Sequence, residues 1–166
     1  VPEDRKHEGL ILRNHVRFNL SIGILPQFIR WGYLGVNRKK EEEIAQKYIE
    51  KLAIKVSGQQ QLAINLSGGN QQKIVLGKWL AASKDILILD EPTRGIDVGA
   101  KAEIYALMDE LTSQGKSIIM VSSELPEVLN MSDQIYVMRE GCVCKVYRDR
   151  NSFDQKEILS YMLGLQ

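Results

Sequence analysis

Ile86-Leu87-Ile88-Leu89-Asp90-Glu91-Pro92-Thr93 decides the architecture. Four apolar residues run without a polar break, two carboxylates follow, and a proline ends the run. A short, continuous apolar stretch predicts a strand covered on both faces, as in a parallel sheet. Carboxylates at its exit would lie at the edge where open α/β sheets bind ligands.

Downstream, residues 98–114 carry Ile104, Leu107, Met108 and Leu111 at helical spacing and stop at Gly115. Residues 117–121 read as a second buried strand, and 125–131 as a short helix starting beside Pro126. Residues 134–138 and 142–147 flank Glu140-Gly141 as a hairpin, and a last helix over 155–163 follows the candidate caps Ser152 and Asp154. Upstream, a helix begins at Ser67 with Val75, Leu76, Trp79 and Leu80 on its apolar side, after a polar, turn-like stretch over 57–63. Another helix, capped by Asn37, carries Glu41, Glu42 and Glu43 in its first turn and Ile44, Tyr48 and Leu52 on one face, widened by Ala45 and Ile49. Residues 1–35 are irregular, with a short helix near 16–24 and the aromatics Phe28, Trp31 and Tyr33, read as lobe core in preference to a docking surface. Alternating strands and helices after residue 85 predict a parallel α/β core over 85–166, preceded by a mainly helical lobe over 1–84.

The chain has 166 residues, 44% apolar, with 22 Lys and Arg against 21 Asp and Glu, a net charge of +1. That balance excludes a polycation, an acidic tail and a disordered chain of high net charge. Arg38-Lys39-Lys40 is the one cue for nucleic acid, and with the glutamates after it reads as a solvated helix start. Cys142 and Cys144, two apart in an extended run, read as reduced strand residues; His7 and His15 stand alone and read as surface polar groups. No stretch matches a membrane span or a signal peptide. The chain begins at Val1, which raises the expectation of a piece of a longer protein.

Two places carry chemistry. Ser67-Gly68-Gly69 precedes an apolar helix, where unpaired backbone N–H groups and the helix dipole favour an anion; an N-cap with a flexible turn has the same composition. At the strand exit, Asp90 suits a water-bridged Mg²⁺ and Glu91 suits orienting or deprotonating a water, while Pro92 can be simple punctuation.

Taken together, Leu66-Ser67-Gly68-Gly69-Asn70-Gln71-Gln72-Lys73, the 86–93 strand and its exit, and Gly95-Ile96-Asp97 resemble the ATP-binding-cassette ATPases in motif order. In that family they are the signature sequence, the Walker B strand with its catalytic glutamate, and the D-loop. Asn70-Gln71-Gln72-Lys73 and Thr93-Arg94-Gly95-Ile96-Asp97-Val98-Gly99 are similar to the subgroup that imports ribose, galactose or xylose. Val121-Ser122-Ser123-Glu124-Leu125-Pro126-Glu127-Val128 is similar to the second of that subgroup's two cassettes. The resemblance implies a P-loop NTPase-type core with an incomplete parallel sheet, and ATP with Mg²⁺ as ligands. It implies catalytic roles for Glu91 and Ser123, nucleotide-binding roles for Ser67, Gly68, Gly69, Gln72, Asp97 and Glu3, and Mg²⁺ held by Asp90 through water. As partners it implies a second ATP-binding cassette, transmembrane permease subunits and, indirectly, a sugar-binding protein, at the cytoplasmic face of the inner membrane.

Three departures qualify the likeness. No G-x-x-x-x-G-K-[ST] occurs, so the phosphate-cradling loop and its lysine are missing and the chain by itself is expected to be inactive. The family's loop glutamine falls near Glu3, which cannot donate as an amide does. The switch histidine aligns with Ser123, whose hydroxyl holds no charge near neutral pH. The alternative classes are a soluble cassette ATPase acting on DNA or ribosomes, and a stand-alone interaction domain. The first needs a basic stripe, which a net charge of +1 does not support.

Overall fold

The computed structural model describes residues 1–28, 35–82 and 85–165. Trp31, Tyr33 and the side chain of Phe28 lie outside the described residues. The chain divides into two compact units, Val1–Val121 and Ser122–Gln166.

The first unit opens with a π-helical turn, Arg5–Gly9, then α1 (Val16–Ser21), which tightens into a 3₁₀ helix at Ile22–Phe28 containing Pro26. Helix α2 (Arg38–Lys51) starts where expected, with the Asn37 side chain accepting from the Lys40 amide. Its first turn is not simply solvated. Glu41 is buried, accepts from the Ser21 hydroxyl at 2.8 Å and pairs with Arg17 at 3.3 Å, while Glu42 pairs with Arg17 at 2.6 Å. A charge run that looks like surface in one dimension thus becomes a fastener between α1 and α2.

Helix α3 (Gly68–Ala82) is the centre of the unit, packed against α1, α2 and α4 (Val98–Ser113). Its sequence predicts one apolar stripe, yet residues 71–77 are buried all round, including Gln71, Gln72 and Lys73, while Trp79 is exposed. Gly77 permits this: a Cβ there would meet Leu20 Cδ2 at 2.7 Å and Leu52 Cδ1 at 3.0 Å.

Strands β1 (Ile86–Asp90) and β2 (Ser117–Val121) pair in parallel, from Ile86 opposite Ser117 to Asp90 opposite Val121. The run expected to be covered on both faces is covered on one. Leu87 and Leu89 are buried, but Ile86 and Ile88 are 60% and 56% exposed, and Ile119 and Val121 54% and 52%. Among the described residues, no helix closes the second face, although its composition is that of a covered one.

The second unit holds α5 (Leu125–Met131), β3 (Ile135–Arg139), β4 (Cys142–Tyr147) and α6 (Gln155–Leu163). Strand β3 does not extend the parallel sheet; it pairs antiparallel with β4. The reason is local: Glu140 and Gly141 both have positive φ, 52° and 78°, the geometry that closes a two-residue hairpin. Ile135, Val137, Tyr147 and Ile158 form the core. Asp154 caps α6 as expected, and Gly164 ends it at φ 72°. Cys142 and Cys144 are free and exposed.

Candidate functional site around the tip of the signature helix

At the tip of α3, Ser67 is exposed and its carbonyl accepts from the Gln71 amide at 2.9 Å. Its hydroxyl oxygen accepts from Asn70 Nδ2 at 3.0 Å, and Asn70 Oδ1 in turn accepts from the Lys55 amide at 2.8 Å. With the oxygen held by Asn70, the hydroxyl proton of Ser67 remains to be donated outward.

Both glycines of the tip are committed to packing. A Cβ on Gly69 would stand 2.6 Å from the Ala100 Cβ, so this glycine sets how closely α3 and α4 approach. A Cβ on Gly68 would meet Arg5 Nη2 at 3.0 Å, the Gly95 carbonyl at 3.4 Å and Ile96 Cγ2 at 3.6 Å. The tip of α3 therefore abuts the turn that follows β1.

That turn is built from the strand exit. Asp90, on the open face with Ile86 and Ile88, donates its amide to the Val1 carbonyl at 3.0 Å. The Glu91 amide continues the ladder to the Val121 carbonyl at 2.9 Å, but its φ is +44°. A non-glycine residue in the left-handed region is uncommon and costs of order 1 kcal/mol or more, so the surroundings must impose it. Pro92 and Thr93 are buried, and the Arg94 amide closes the turn onto the Glu91 carbonyl at 3.1 Å. Asp97 is the N-cap of α4, its side chain accepting from the Ala100 amide at 2.9 Å.

The segment 1–5 completes the patch. Glu3 forms an ion pair with Arg94 and so does not stand free. Asp4 caps the π-helical turn, accepting from the Lys6 amide at 2.9 Å and the His7 amide at 3.0 Å, with His7 Nδ1 2.7 Å from its second oxygen. The His7 ring, then its backbone amide, hold the Asp4 carboxyl well below the usual range, at about 2.

The structure thus gathers Glu3, Gly68, Gly69, Asp97 and the Asp90–Glu91 exit into one unit. Gln72 lies one helical turn further along α3, buried, with no face toward solvent. Ser123 belongs to the second unit, exposed between β2 and α5. Beside it the Ser122 hydroxyl donates to the buried Glu127 carboxylate at 2.5 Å and accepts from the Glu124 amide at 3.1 Å. The sequence assigns no role to Ser122, Glu127 or Arg5, nor to the buried Lys73, which pairs with Glu103 at 2.7 Å and donates to the Ala53 carbonyl at 3.1 Å. Lys73 holds the Glu103 carboxyl below its usual range. Lys73, Ser122 and Glu127 lie inside quoted motifs, but no local period announces whom they pair with.

For nucleotide and Mg²⁺ the donor set fits in part. Asp90 and Glu91 offer the hard oxygens that Mg²⁺ prefers. No cluster of three or more metal-ligating side chains exists among the described residues. The tip of α3 offers a hydroxyl proton and an N-terminal dipole to a phosphate presented from outside.

Residues 3–94 match the ABC transporter family. A ribose import ATP-binding protein of Shouchella clausii is 51% identical over 99% of this chain, and an arabinose import ATP-binding protein of Rhizobium meliloti is 45% identical over 98%. The chain spans about a third of the length of these relatives, 32% of each. The ATP-binding cassette MJ1267 of an ABC transporter superposes with a TM-score of 0.69 at 25% identity, over 90% of this chain and 59% of that one. No helix among the described residues is long and apolar enough to cross a membrane. With the signature tip, the strand exit and the following turn in one patch, and the match covering more than half its length, the chain belongs to the ABC transporter family.

Proposed function

We propose that this chain supplies the helical signature lobe (1–84) and the latter part of the ATPase core (85–166) of a subunit that couples ATP hydrolysis to uptake of a monosaccharide. The observation that carries the reading is the contact of Gly68 and Gly69 with Gly95, Ile96 and Ala100, which joins the signature tip to the loop leaving the carboxylate strand. The names of the ribose and arabinose relatives support the substrate class.

In this reading Ser67 and the α3 amides grip the terminal phosphoryl of a nucleotide seated on a second cassette. ATP is then a bridging ligand that stabilises the closed pair, and losing its terminal phosphoryl releases the pair. Bound Mg²⁺ would neutralise phosphate charge as the bond breaks. Asp90 would hold the ion through water, Glu91 takes the proton of an attacking water, and Ser123 donates to phosphate where the family has a histidine. Glu3 helps place the nucleotide, Gln72, buried in α3, reaches it only by supporting the helix behind the tip, and Asp97 fixes the turn between cassettes. Permease subunits and a sugar-binding protein complete the assembly, with this subunit peripheral on the cytoplasmic face of the inner membrane.

Ser67→Asp in the full-length subunit tests this. Aspartate still caps a helix, so the fold is kept, but it sets a negative charge where the phosphoryl must sit. ATP turnover is expected to fall by about 10²-fold or more. Undiminished turnover removes the reading, as does robust ATP hydrolysis by the purified chain, which has no phosphate-cradling loop.

A further inference from the structure

We propose that Arg5 is the positioning residue that locks the turn after β1 to the tip of α3. Its two terminal nitrogens donate to consecutive backbone carbonyls, Nη1 to Arg94 at 2.7 Å and Nη2 to Gly95 at 2.9 Å. The guanidinium lies between two glycines: a Cβ on Gly68 would stand 3.0 Å from Nη2, and one on Gly95 3.6 Å from Nη1. Gly95 has φ +65°, the left-handed conformation that goes with turning its carbonyl toward Arg5. Glu3 pairs with the Arg94 side chain, so two residues of segment 1–5 hold residue 94, one through its backbone and one through its charge. Asp4, between them, caps the helical turn that starts at Arg5 and fixes where its side chain departs.

A planar fork with fixed N–H directions specifies two carbonyls at once, which a flexible ammonium cannot do. Arg5 Nε is buried without a hydrogen-bond partner, so the side chain keeps this pose at the expense of one unmet donor. Any movement of segment 1–5 is therefore imposed jointly on the Arg94–Gly95 turn and on Gly68. The inference deepens the proposed function. It makes Arg5 the residue through which segment 1–5 aligns the Asp97 turn with the phosphate-gripping tip, without itself touching nucleotide.

The test has two arms. Hydrogen–deuterium exchange on the 166-residue chain compares wild type with Arg5→Ala and Arg5→Lys. Residues 68–71 and 94–100 should exchange faster together in Arg5→Ala, partly recovered in Arg5→Lys, while 16–21 and 38–51 keep their protection. In the full-length subunit, Arg5→Ala should lower kcat about tenfold or more, with KM for ATP held within about twofold, as expected of misplacement without contact. Exchange that rises evenly, or at only one of the two segments, overturns the proposal, and so does an unchanged kcat. If Ser67→Asp leaves turnover intact, the proposed function fails instead, and the exchange arm still decides the role of Arg5.

Discussion

Gly69 looks like an accommodation for an approaching phosphate, and its surroundings give it a second duty. The 2.6 Å that a Cβ would leave to Ala100 Cβ is far inside van der Waals contact, so any side chain pushes α3 and α4 apart. Gly69→Ala should cost about 1–3 kcal/mol in urea denaturation. Adding Ala100→Gly should return most of it, because the methyl has only changed sides. A double variant no more stable than Gly69→Ala would mean that packing is not what fixes the glycine. Glu91 shows the complementary case: a bulky residue held at φ +44°, where strain marks the strand exit as a place the fold has been made to serve.

At the scale of elements, β1 has two faces of equal hydrophobicity and unequal burial. Leu89 is fully buried and Ile88 56% exposed. Leu89→Ala should therefore destabilise the chain by about 2–5 kcal/mol, and Ile88→Thr by under about 1 kcal/mol, both measured by urea midpoint. Equal losses would show that the second face is covered in solution. Residues 71–77 of α3 depart the other way, buried all round despite three consecutive polar side chains. The Gln71 amide donates to the Ala63 carbonyl at 3.0 Å, and Lys73 bonds Glu103 and the Ala53 carbonyl. A buried cation so paired is tolerated, and its partners tie α3 to α4 and to the chain just past α2.

At the scale of the whole molecule, the two carboxylates displaced from their ordinary range among the described residues move the same way. Asp4 is lowered from 3.8 to about 2, and Glu103 is lowered as well. A carboxyl whose folded pKa is depressed contributes stability that is fully present above its unfolded value and lost as pH falls through the folded one. Stability should thus drop across pH 4 to 2, a window set by Asp4 at 3.8 and about 2, and Asp4→Asn should flatten the drop. An unchanged acid limb in that variant would mean that the Asp4–His7 contact does not persist in solution. Tyr147 moves up instead, first because it is buried and then because it donates to Glu157 at 2.8 Å; it stays neutral throughout this window.

Elements and family were legible in one dimension because caps, turn residues and apolar periods act locally. Asn37 and Asp154 cap the helices that follow them, and Gly115 stands just beyond α4. The motif order from Ser67 to Asp97 carried the family. Three things were settled only in space: which face of β1 is covered, that α3 is central rather than lateral, and that Glu41 is paired inside with Arg17. Each depends on what lies opposite a residue after the chain has turned back on itself, a partner many positions away that no local pattern encodes. Arg5 is the plainest example, a cation in a charged opening stretch until residues 94 and 95 present their carbonyls to it.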